Sequence, residues 1–299
     1  MRISVVIATF GRPELLEDTL ESLYACEAPP EEILIVDGHP ELQAKPVAAR
    51  FSTRSTPPEL RYLASESGLT KQRNVGIDAA TGDVLVFADD DTSFEPNVFA
   101  VLSEAYGDPS VVGATGKLVG AEQLSLRLGG RQSLVRRLLF SGGAEGTFTR
   151  FGYPRYVQNV DRPTDVEIMG GAFMSARRDD AAIVRFDERL AGYALAEDED
   201  FSYRLSRRGR LRYLPEAVVF HHKTGFASQN QRAFGRMVVV NRTYLFRKNF
   251  PRTPFTRLQF ALLVLLLIAH RLANREWAGA LGLIEGAVQA WRERTNEAR

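Results

Sequence analysis

Short, almost unbroken apolar runs alternate with helical patterns over the first 115 residues of the 299-residue chain. The apolar runs cover residues 3–8, 33–36 and 84–88, and the helical patterns cover residues 13–25, 70–80 and 96–105. Apolar runs without polar alternation are typical of strands in a sheet that helices cover on both faces. The pattern therefore predicts an α/β fold with a central sheet and flanking helices.

Polar residues follow three of these predicted strands. They are Thr9, Asp37 and the triplet Asp89, Asp90 and Asp91. In open α/β sheets, ligands bind beyond the carboxyl ends of the strands, so we expect these side chains to converge on one site.

The aspartate triplet predicts a divalent cation. Three adjacent carboxylates repel one another unless a positive charge lies nearby. Mg²⁺ and Mn²⁺ bind carboxylate and phosphate oxygens together, so a bound diphosphate would complete the coordination. The alternative is a solvated acidic turn ahead of the helix near Pro96.

Four segments together resemble glycosyltransferase family 2, whose members have the GT-A nucleotide-diphospho-sugar transferase fold. They are VVIATFGRP at 5–13, VDG at 36–38, GLTKQRNVGI at 68–77 and ATGD at 80–83, the last just before the strand and triplet. The resemblance implies a Rossmann-like mixed sheet and a metal-dependent inverting transfer of sugar from a nucleotide diphosphate to a hydroxyl.

The resemblance implies roles for residues on the donor side of the site. Asp37 would recognise a nucleobase with Thr9 beside it, unless Asp37 only forms a turn before Gly38. Arg73 would lie near the base and diphosphate, where a guanidinium fork is useful, or would form a salt bridge to the triplet.

Within the triplet, the family's Asp-any-Asp pattern falls on Asp89 and Asp91. The resemblance assigns Asp89 to the ribose and Asp91 to the metal. Asp90 occupies the variable middle position and is placed with the donor-binding residues.

A second acidic segment, residues 192–201, opens a predicted helix over residues 198–208. Carboxylates at a helix N-terminus are stabilised by its dipole, which explains one or two of the four. Because Glu197-Asp198 matches the family's Glu-Asp motif, the resemblance makes Asp198 the general base, with Glu197 beside it.

Two further segments complete the predicted site. The predicted strand at 217–220, after another at 211–213, leads to His221 and His222, and the family often has a metal-binding histidine here. Sequence spacing cannot separate the two, because neighbours on a strand point to opposite sides. Gly170 and Gly171 match the segment where the acceptor approaches the donor.

The C-terminal region predicts a membrane-associating extension. No Asp or Glu lies between Glu216 and Glu276, whereas ten Lys or Arg do, and this stretch contains ten unbroken apolar residues at 260–269. Because about twenty are needed to span a bilayer, we expect two interfacial helices over 258–272 and 277–291 on an anionic surface. Packing against the protein itself or a dimer partner remains the alternative.

These features divide the chain into a catalytic domain at 1–225 and a helical extension at 226–299. Residues 1–115 form the donor half and 116–225 the acceptor half, in which 118–165 lacks a clear pattern. The lone Cys26 suits a reducing compartment, so we expect a cytoplasmic protein, peripheral on the inner face of the membrane. No nucleic-acid motif accompanies the basic block.

The predicted function is transfer of a hexose or deoxyhexose from a UDP or dTDP sugar to a glycan or glycolipid, in surface polysaccharide biosynthesis. One alternative is a non-catalytic nucleotide-sugar-binding or membrane-docking module of the same fold. The other is a sugar-1-phosphate nucleotidyltransferase, although Gly11-Arg12-Pro13 does not supply the glycine-rich phosphate loop which that class needs.

Overall fold

The computed structural model describes residues 1–54, 57–120, 144–222 and 230–297, with side chains up to residue 293. The chain forms two compact units. The first comprises Met1–Glu122 and Tyr156–Lys223, and the second comprises Gln123–Arg155 and Thr224–Arg299. The second unit thus includes residues assigned above to the acceptor half, and the boundary at residue 225 stays a prediction.

A mixed nine-stranded sheet forms the centre of the first unit, in the order β3-β2-β1-β4-β10-β6-β11-β5, with β9 paired to β11. Strands β1 to β4 run parallel to one another, and β10 runs antiparallel to both β4 and β6. The strand bounds are β1 Ile3–Thr9, β2 Glu32–Asp37, β3 Glu59–Ala64, β4 Val84–Asp89, β5 Thr92–Phe94, β6 Val111–Val119, β9 Thr164–Val166, β10 Phe173–Arg177 and β11 Arg210–His221.

Among the described residues, six helices accompany this sheet, and each face of the sheet has its own buried apolar cluster. The helix bounds are α1 Pro13–Tyr24, α2 Lys45–Phe51, α3 Leu69–Ala79, α4 Val98–Ala105, α5 Arg178–Val184 and α6 Glu197–Leu205. Helix α1 begins at Pro13, where the missing N–H costs no hydrogen bond, and buries Leu16, Leu20 and Leu23. The predicted α/β class is confirmed.

The register of the parallel strands brings the predicted donor residues to one edge. Thr9 lies opposite Asp37, and Ala8 lies opposite Asp89. The predicted strands at 211–213 and 217–220 are in fact one strand, β11, with a register shift between Leu214 and Val218. Pro215, which has no backbone N–H to donate, and Glu216 lie within that irregularity, which the sequence showed as a gap between two strands.

In the residues of the second unit that the structure describes, there are three long helices and a two-stranded hairpin. The helices are α7 Gln231–Asn249, α8 Pro254–Ala273 and α9 Trp277–Glu297, and the hairpin strands are β7 Thr147–Phe148 and β8 Pro154–Arg155. The two predicted C-terminal helices are confirmed, and both are longer than predicted. Of the segment 118–165 that lacked a pattern, residues 121–143 lie outside the described residues.

Helix α9 packs closely on α7 through glycines. A Cβ at Gly282 would lie 2.0 Å from the carbonyl oxygen of Arg232, and one at Gly286 would lie 2.6 Å from that of Arg236. The glycines therefore let the two backbones approach. The opposite side of α9 leaves large apolar side chains exposed, at Trp277, Leu281, Ile284, Val288 and Trp291.

Candidate active site

Asp89, Asp91 and His221 form a cluster in which each side chain offers a ligand atom within 4.8 Å of the other two. Nε2 of His221 lies 3.2 Å from Oδ1 of Asp91 and 3.9 Å from Oδ2 of Asp89. Strand β4 supplies the first aspartate at its end, and β11 supplies the histidine at its own end. The sheet thus joins residues that are more than 120 positions apart in the sequence.

The charges in this cluster suit a divalent cation. Burial, the largest effect, raises the pKa of Asp89, and the nearby Asp91 adds to the shift. The hydrogen bond to Asp91 is the main cause of a raised pKa at His221. Two carboxylates suit Mn²⁺ or Mg²⁺, and an imidazole is more readily accepted by Mn²⁺ than by Mg²⁺. Asp89, Asp91 and His221 are therefore the residues that could hold such an ion.

His222 points elsewhere. Its ring Nε2 lies 2.8 Å from the hydroxyl oxygen of Ser93, and its backbone N–H donates to the carbonyl oxygen of Asp91. The structure therefore places His221, and not His222, with the aspartates. It also places Asp89 within this cluster, and the contact with the ribose that the resemblance implied for Asp89 stays a prediction.

Asp90 is fully buried and faces strand β1. Its carboxylate accepts a 2.6 Å hydrogen bond from the hydroxyl of Thr9 and forms a salt bridge with Arg12. Burial raises the pKa of Asp90 to about 7, whereas Arg12 and Thr9 oppose that shift. Thr9 and Asp90 thus hold the ends of β1 and β4 together, and their predicted contact with the donor stays a prediction.

Asp37 is also fully buried. Oδ1 accepts from the backbone N–H of His39 at 2.9 Å, and Oδ2 accepts from the backbone N–H of Ala44 and the hydroxyl of Tyr62, both at 3.0 Å. These bonds match the turn-forming alternative. A nucleobase would reach this carboxylate only if the loop after β2 moved, so the predicted nucleobase contact stays untested.

Arg73 is buried and joins three parts of the site. Its guanidinium forms salt bridges with Asp89, at 3.0 Å, and with Glu197, and its Nη2 donates to the carbonyl oxygen of Gly171 at 2.8 Å. The salt bridge to the triplet is the alternative raised from the sequence. A buried guanidinium with two carboxylate partners fixes the end of β4 relative to the start of α6.

Asp198 lies at the start of α6 with hydrogen-bond donors on both oxygens. Oδ1 accepts from the backbone N–H of Glu199 at 2.9 Å, and Oδ2 accepts from the backbone N–H of Gly171 at 3.0 Å. The Tyr156 hydroxyl lies 3.4 Å from Oδ2 as well. The carboxylate of the predicted base is therefore held beside the glycine segment.

Glu197 and Gly170 are the chain neighbours of the hydrogen-bonded pair Asp198 and Gly171. Burial, with repulsion from Asp198, raises the pKa of Glu197 well above its ordinary value, while Arg73 opposes the shift. Gly170 forms an isolated bridge with Phe173 and lies against Leu118.

The turn before α6 is strained. Ala194 and Ala196 have φ values of 53° and 70°, in the left-handed region that non-glycine residues avoid, and Gly192 has a φ of 67°. Strained backbone of this kind concentrates at functional sites. Tyr193, in the same turn, is almost half exposed.

The sequence did not identify Arg12, Tyr156 and Tyr193 as residues of this site. Partial burial is the main cause of a raised pKa at Tyr193, and the charges of Asp89 and Asp198 add to it. Arg12 lies in the segment at 5–13 that resembles the family, and no other sequence feature indicated that it belongs to the site. Tyr156 lies in the stretch without a pattern.

A family profile and several known proteins match much of this chain. The sequence profile described as Glycosyl transferase family 2 matches residues 4–183. The chain is 30% identical over 145 residues to the uncharacterized glycosyltransferase YwdF of Bacillus subtilis (strain 168), covering 48% of this chain and 52% of that protein. It is 31% identical over 123 residues to a glucosyl-dolichyl phosphate glucuronosyltransferase of Haloferax volcanii, covering 40% and 39%. The chain thus spans about half or less of these relatives.

Among solved structures, the mannosyltransferase PcManGT from Pyrobaculum calidifontis, in complex with GDP-Man and Mn²⁺, superposes with a TM-score of 0.62 at 15% identity. The match covers 97% of this chain and 87% of that one. The predicted GT-A fold, with its mixed sheet and a C-terminal helical extension, is confirmed.

Proposed function

Because the chain belongs to glycosyl transferase family 2, we propose that it is a metal-dependent inverting glycosyltransferase that uses a nucleotide-diphospho-sugar donor. One observation carries this proposal. Nη2 of Arg73 donates hydrogen bonds to Asp89, in the candidate metal cluster, and to the carbonyl oxygen of Gly171. The backbone N–H of Gly171 in turn donates a hydrogen bond to Asp198. A cation site and a candidate base therefore lie within one connected network.

The residues divide the chemistry between them. A divalent ion held by Asp89, Asp91 and His221 would stabilise the negative charge that develops on the leaving nucleoside diphosphate. Asp198 accepts the proton of the acceptor hydroxyl as that oxygen attacks the anomeric carbon. Attack from the side opposite the diphosphate inverts the configuration and requires no covalent intermediate with the protein.

The first test compares wild type with Asp198→Asn. We would measure binding of UDP, dTDP and GDP sugars with Mn²⁺ by calorimetry, and their metal-dependent turnover. We expect both proteins to bind the donor and only wild type to turn it over. Donor binding in both without turnover in either would instead indicate a non-catalytic binding module.

UDP or dTDP sugars remain the proposed donors, with a hexose or deoxyhexose transferred. The proposed acceptor is the hydroxyl of a glycan or a lipid-linked glycan in surface polysaccharide biosynthesis. The dolichyl phosphate in the name of the Haloferax volcanii relative supports a lipid-linked acceptor. A thermal-shift screen of nucleoside diphosphates and their sugars, with and without Mn²⁺, identifies the donor because ligand binding stabilises the folded state.

The C-terminal helices support membrane association. Helix α8, twenty residues long, is long and apolar enough to cross a membrane by length and composition alone. It leaves Phe255, Leu258, Leu265 and Leu272 exposed within the described residues. The ten unbroken apolar residues at 260–269 make up only half of this helix. We place it in the membrane interface because basic residues lie at both ends, at Arg252, Arg257, Arg271 and Arg275.

On this proposal the protein is cytoplasmic and docks peripherally on the anionic inner face of the membrane. Flotation with phosphatidylglycerol vesicles tests it in the full chain. Replacing both Trp277 and Trp291 with Ala should reduce flotation, whereas Ile183→Ala, an exposed apolar change in the first unit, should not. Flotation that resists alkaline carbonate would indicate a spanning helix, and a dimer without vesicle binding would indicate self-association.

A further inference from the structure

The two oxygens of the Asp91 carboxylate have different partners. Oδ1 lies 3.2 Å from Nε2 of His221, within the metal cluster. Oδ2 accepts a hydrogen bond from Nη1 of Arg12 at 3.1 Å. One oxygen therefore faces the predicted ion, and a cationic side chain holds the other.

Arg12 is itself held in place by Asp90. Its Nε lies 3.3 Å from Oδ2 of Asp90, and its Nη2 forms a salt bridge with Oδ1. Asp90 is fully buried and also accepts the hydroxyl of Thr9. A planar guanidinium bound at two points has a fixed orientation, so its remaining edge is directed at Asp91.

The partner of Oδ2 matters because divalent ions differ in the carboxylate binding that they accept. Ca²⁺ takes six to eight oxygen ligands in flexible geometry and often binds both oxygens of one carboxylate. Mg²⁺ requires a regular octahedron of shorter bonds, and Mn²⁺ likewise favours octahedral sites. A carboxylate with one oxygen already held by a guanidinium suits the smaller ions.

We propose that Arg12 is a positioning residue that sets the metal preference of the site by holding Oδ2 of Asp91. The inference rests on the proposed function, because it assumes that Asp89, Asp91 and His221 bind the ion. It concerns the choice between ions and goes beyond the presence of a metal.

The competing explanation is that Arg12 only neutralises excess negative charge. In that case its removal would strengthen the binding of every divalent cation by a similar factor, because each carries the same charge. The ratio of affinities for two cations distinguishes the two explanations, whereas a single affinity does not.

The experiment measures binding of Mn²⁺ alone by electron paramagnetic resonance, and of Ca²⁺ by competition against it, without nucleotide. The variants are Arg12→Gln, which removes the charge, and Arg12→Lys, which keeps the charge and loses the planar fork. The matched control is Arg50→Gln, which breaks an exposed ion pair with Glu17. Circular dichroism verifies that each variant is folded.

We expect wild type and Arg50→Gln to prefer Mn²⁺ over Ca²⁺ to the same degree. Removal of a residue that orients a metal ligand usually weakens the binding of one ion by about 10- to 100-fold. Arg12→Gln should lower this preference by roughly tenfold or more, because Oδ2, once released, can bind Ca²⁺ and offset that loss for Ca²⁺ alone. Arg12→Lys should fall between the two, and it provides the measurement if Arg12→Gln does not fold.

An unchanged Mn²⁺ to Ca²⁺ ratio in folded Arg12 variants would overturn this inference and leave the proposed function intact. A wild-type protein that binds neither ion would overturn the metal-dependent function itself, and this inference with it. The two failures are therefore distinguishable.

Discussion

The backbone N–H of Gly171 donates a hydrogen bond to Oδ2 of Asp198, with 3.0 Å between the two atoms. This bond joins the segment before strand β10 to the first turn of helix α6. A Cβ at Gly171 would lie 3.3 Å from Cβ of Asp198 and 3.3 Å from Oε1 of Glu197. Glycine therefore allows the predicted acceptor segment to approach the predicted base.

We predict that Gly171→Ala lowers kcat by about tenfold, because the added Cβ pushes Asp198 away by a fraction of an ångström and a misplacement of about 1 Å costs roughly 100-fold. Donor affinity, measured by calorimetry, should stay unchanged. Gly170→Ala is the control, since its Cβ would meet only the end of the Leu118 side chain. If Gly170→Ala lowers kcat as much as Gly171→Ala, the bond to Asp198 has no special role.

The two adjacent histidines should differ sharply. We predict that His221→Ala weakens Mn²⁺ binding by at least about tenfold, because it removes one of three ligands. His222→Ala should leave metal affinity unchanged and lower the free energy of unfolding by about 0.5–1.5 kcal/mol, through loss of the bond to Ser93. Titration with Mn²⁺ and thermal denaturation measure the two effects, and the reverse ranking would exclude the cluster described here.

Replacing Ala196 with glycine should relieve strain before α6. The left-handed conformation costs alanine about 1–2 kcal/mol, and glycine loses about 0.5–1 kcal/mol more on folding. We therefore predict that Ala196→Gly leaves the free energy of unfolding unchanged or raises it by up to about 1.5 kcal/mol, measured by urea denaturation. Ala176→Gly, at a buried position of strand β10, should lower the free energy of unfolding. An equal decrease in both variants would show that the backbone at Ala196 is not strained.

Glu32 should contribute pH-dependent stability at the end of the sheet opposite the site. Burial alone would raise the pKa of Glu32, but bonds from Ser4, Thr81 and Arg61 outweigh it and lower the pKa below its ordinary 4.5. A lowered folded pKa gives stability that is present above the unfolded pKa and is lost as pH falls through the folded value.

We therefore predict that Glu32→Gln lowers the free energy of unfolding at pH 7 by about 1.5–3 kcal/mol. The difference from wild type should shrink as the pH falls below about 4.5, the ordinary value. Denaturation at several pH values measures it. Glu59→Gln, an exposed change on the neighbouring strand, should stay within about 0.5 kcal/mol of wild type, and a pH-independent effect of Glu32→Gln would refute the linkage.

The sequence alone determined the α/β class and the three strands β1, β2 and β4, which end near the site. Apolar runs such as residues 84–88 are local signals, because a strand buried on both faces needs apolar side chains at every position. It also placed Asp89, Asp91 and a histidine pair at element ends. Strands β3, β6 and β10 were not predicted, because polar residues or glycines interrupt their apolar runs, as Ser175 and Arg177 do in β10.

Only the tertiary structure decided which of these side chains meet. His221 and His222 are equivalent by spacing, and the direction of β11 at its end puts one beside Asp91 and the other beside Ser93. The partners of Arg12 and Arg73 lie as many as 124 positions away. A local sequence pattern cannot predict such long-range pairs, because strand order and register determine which residues meet.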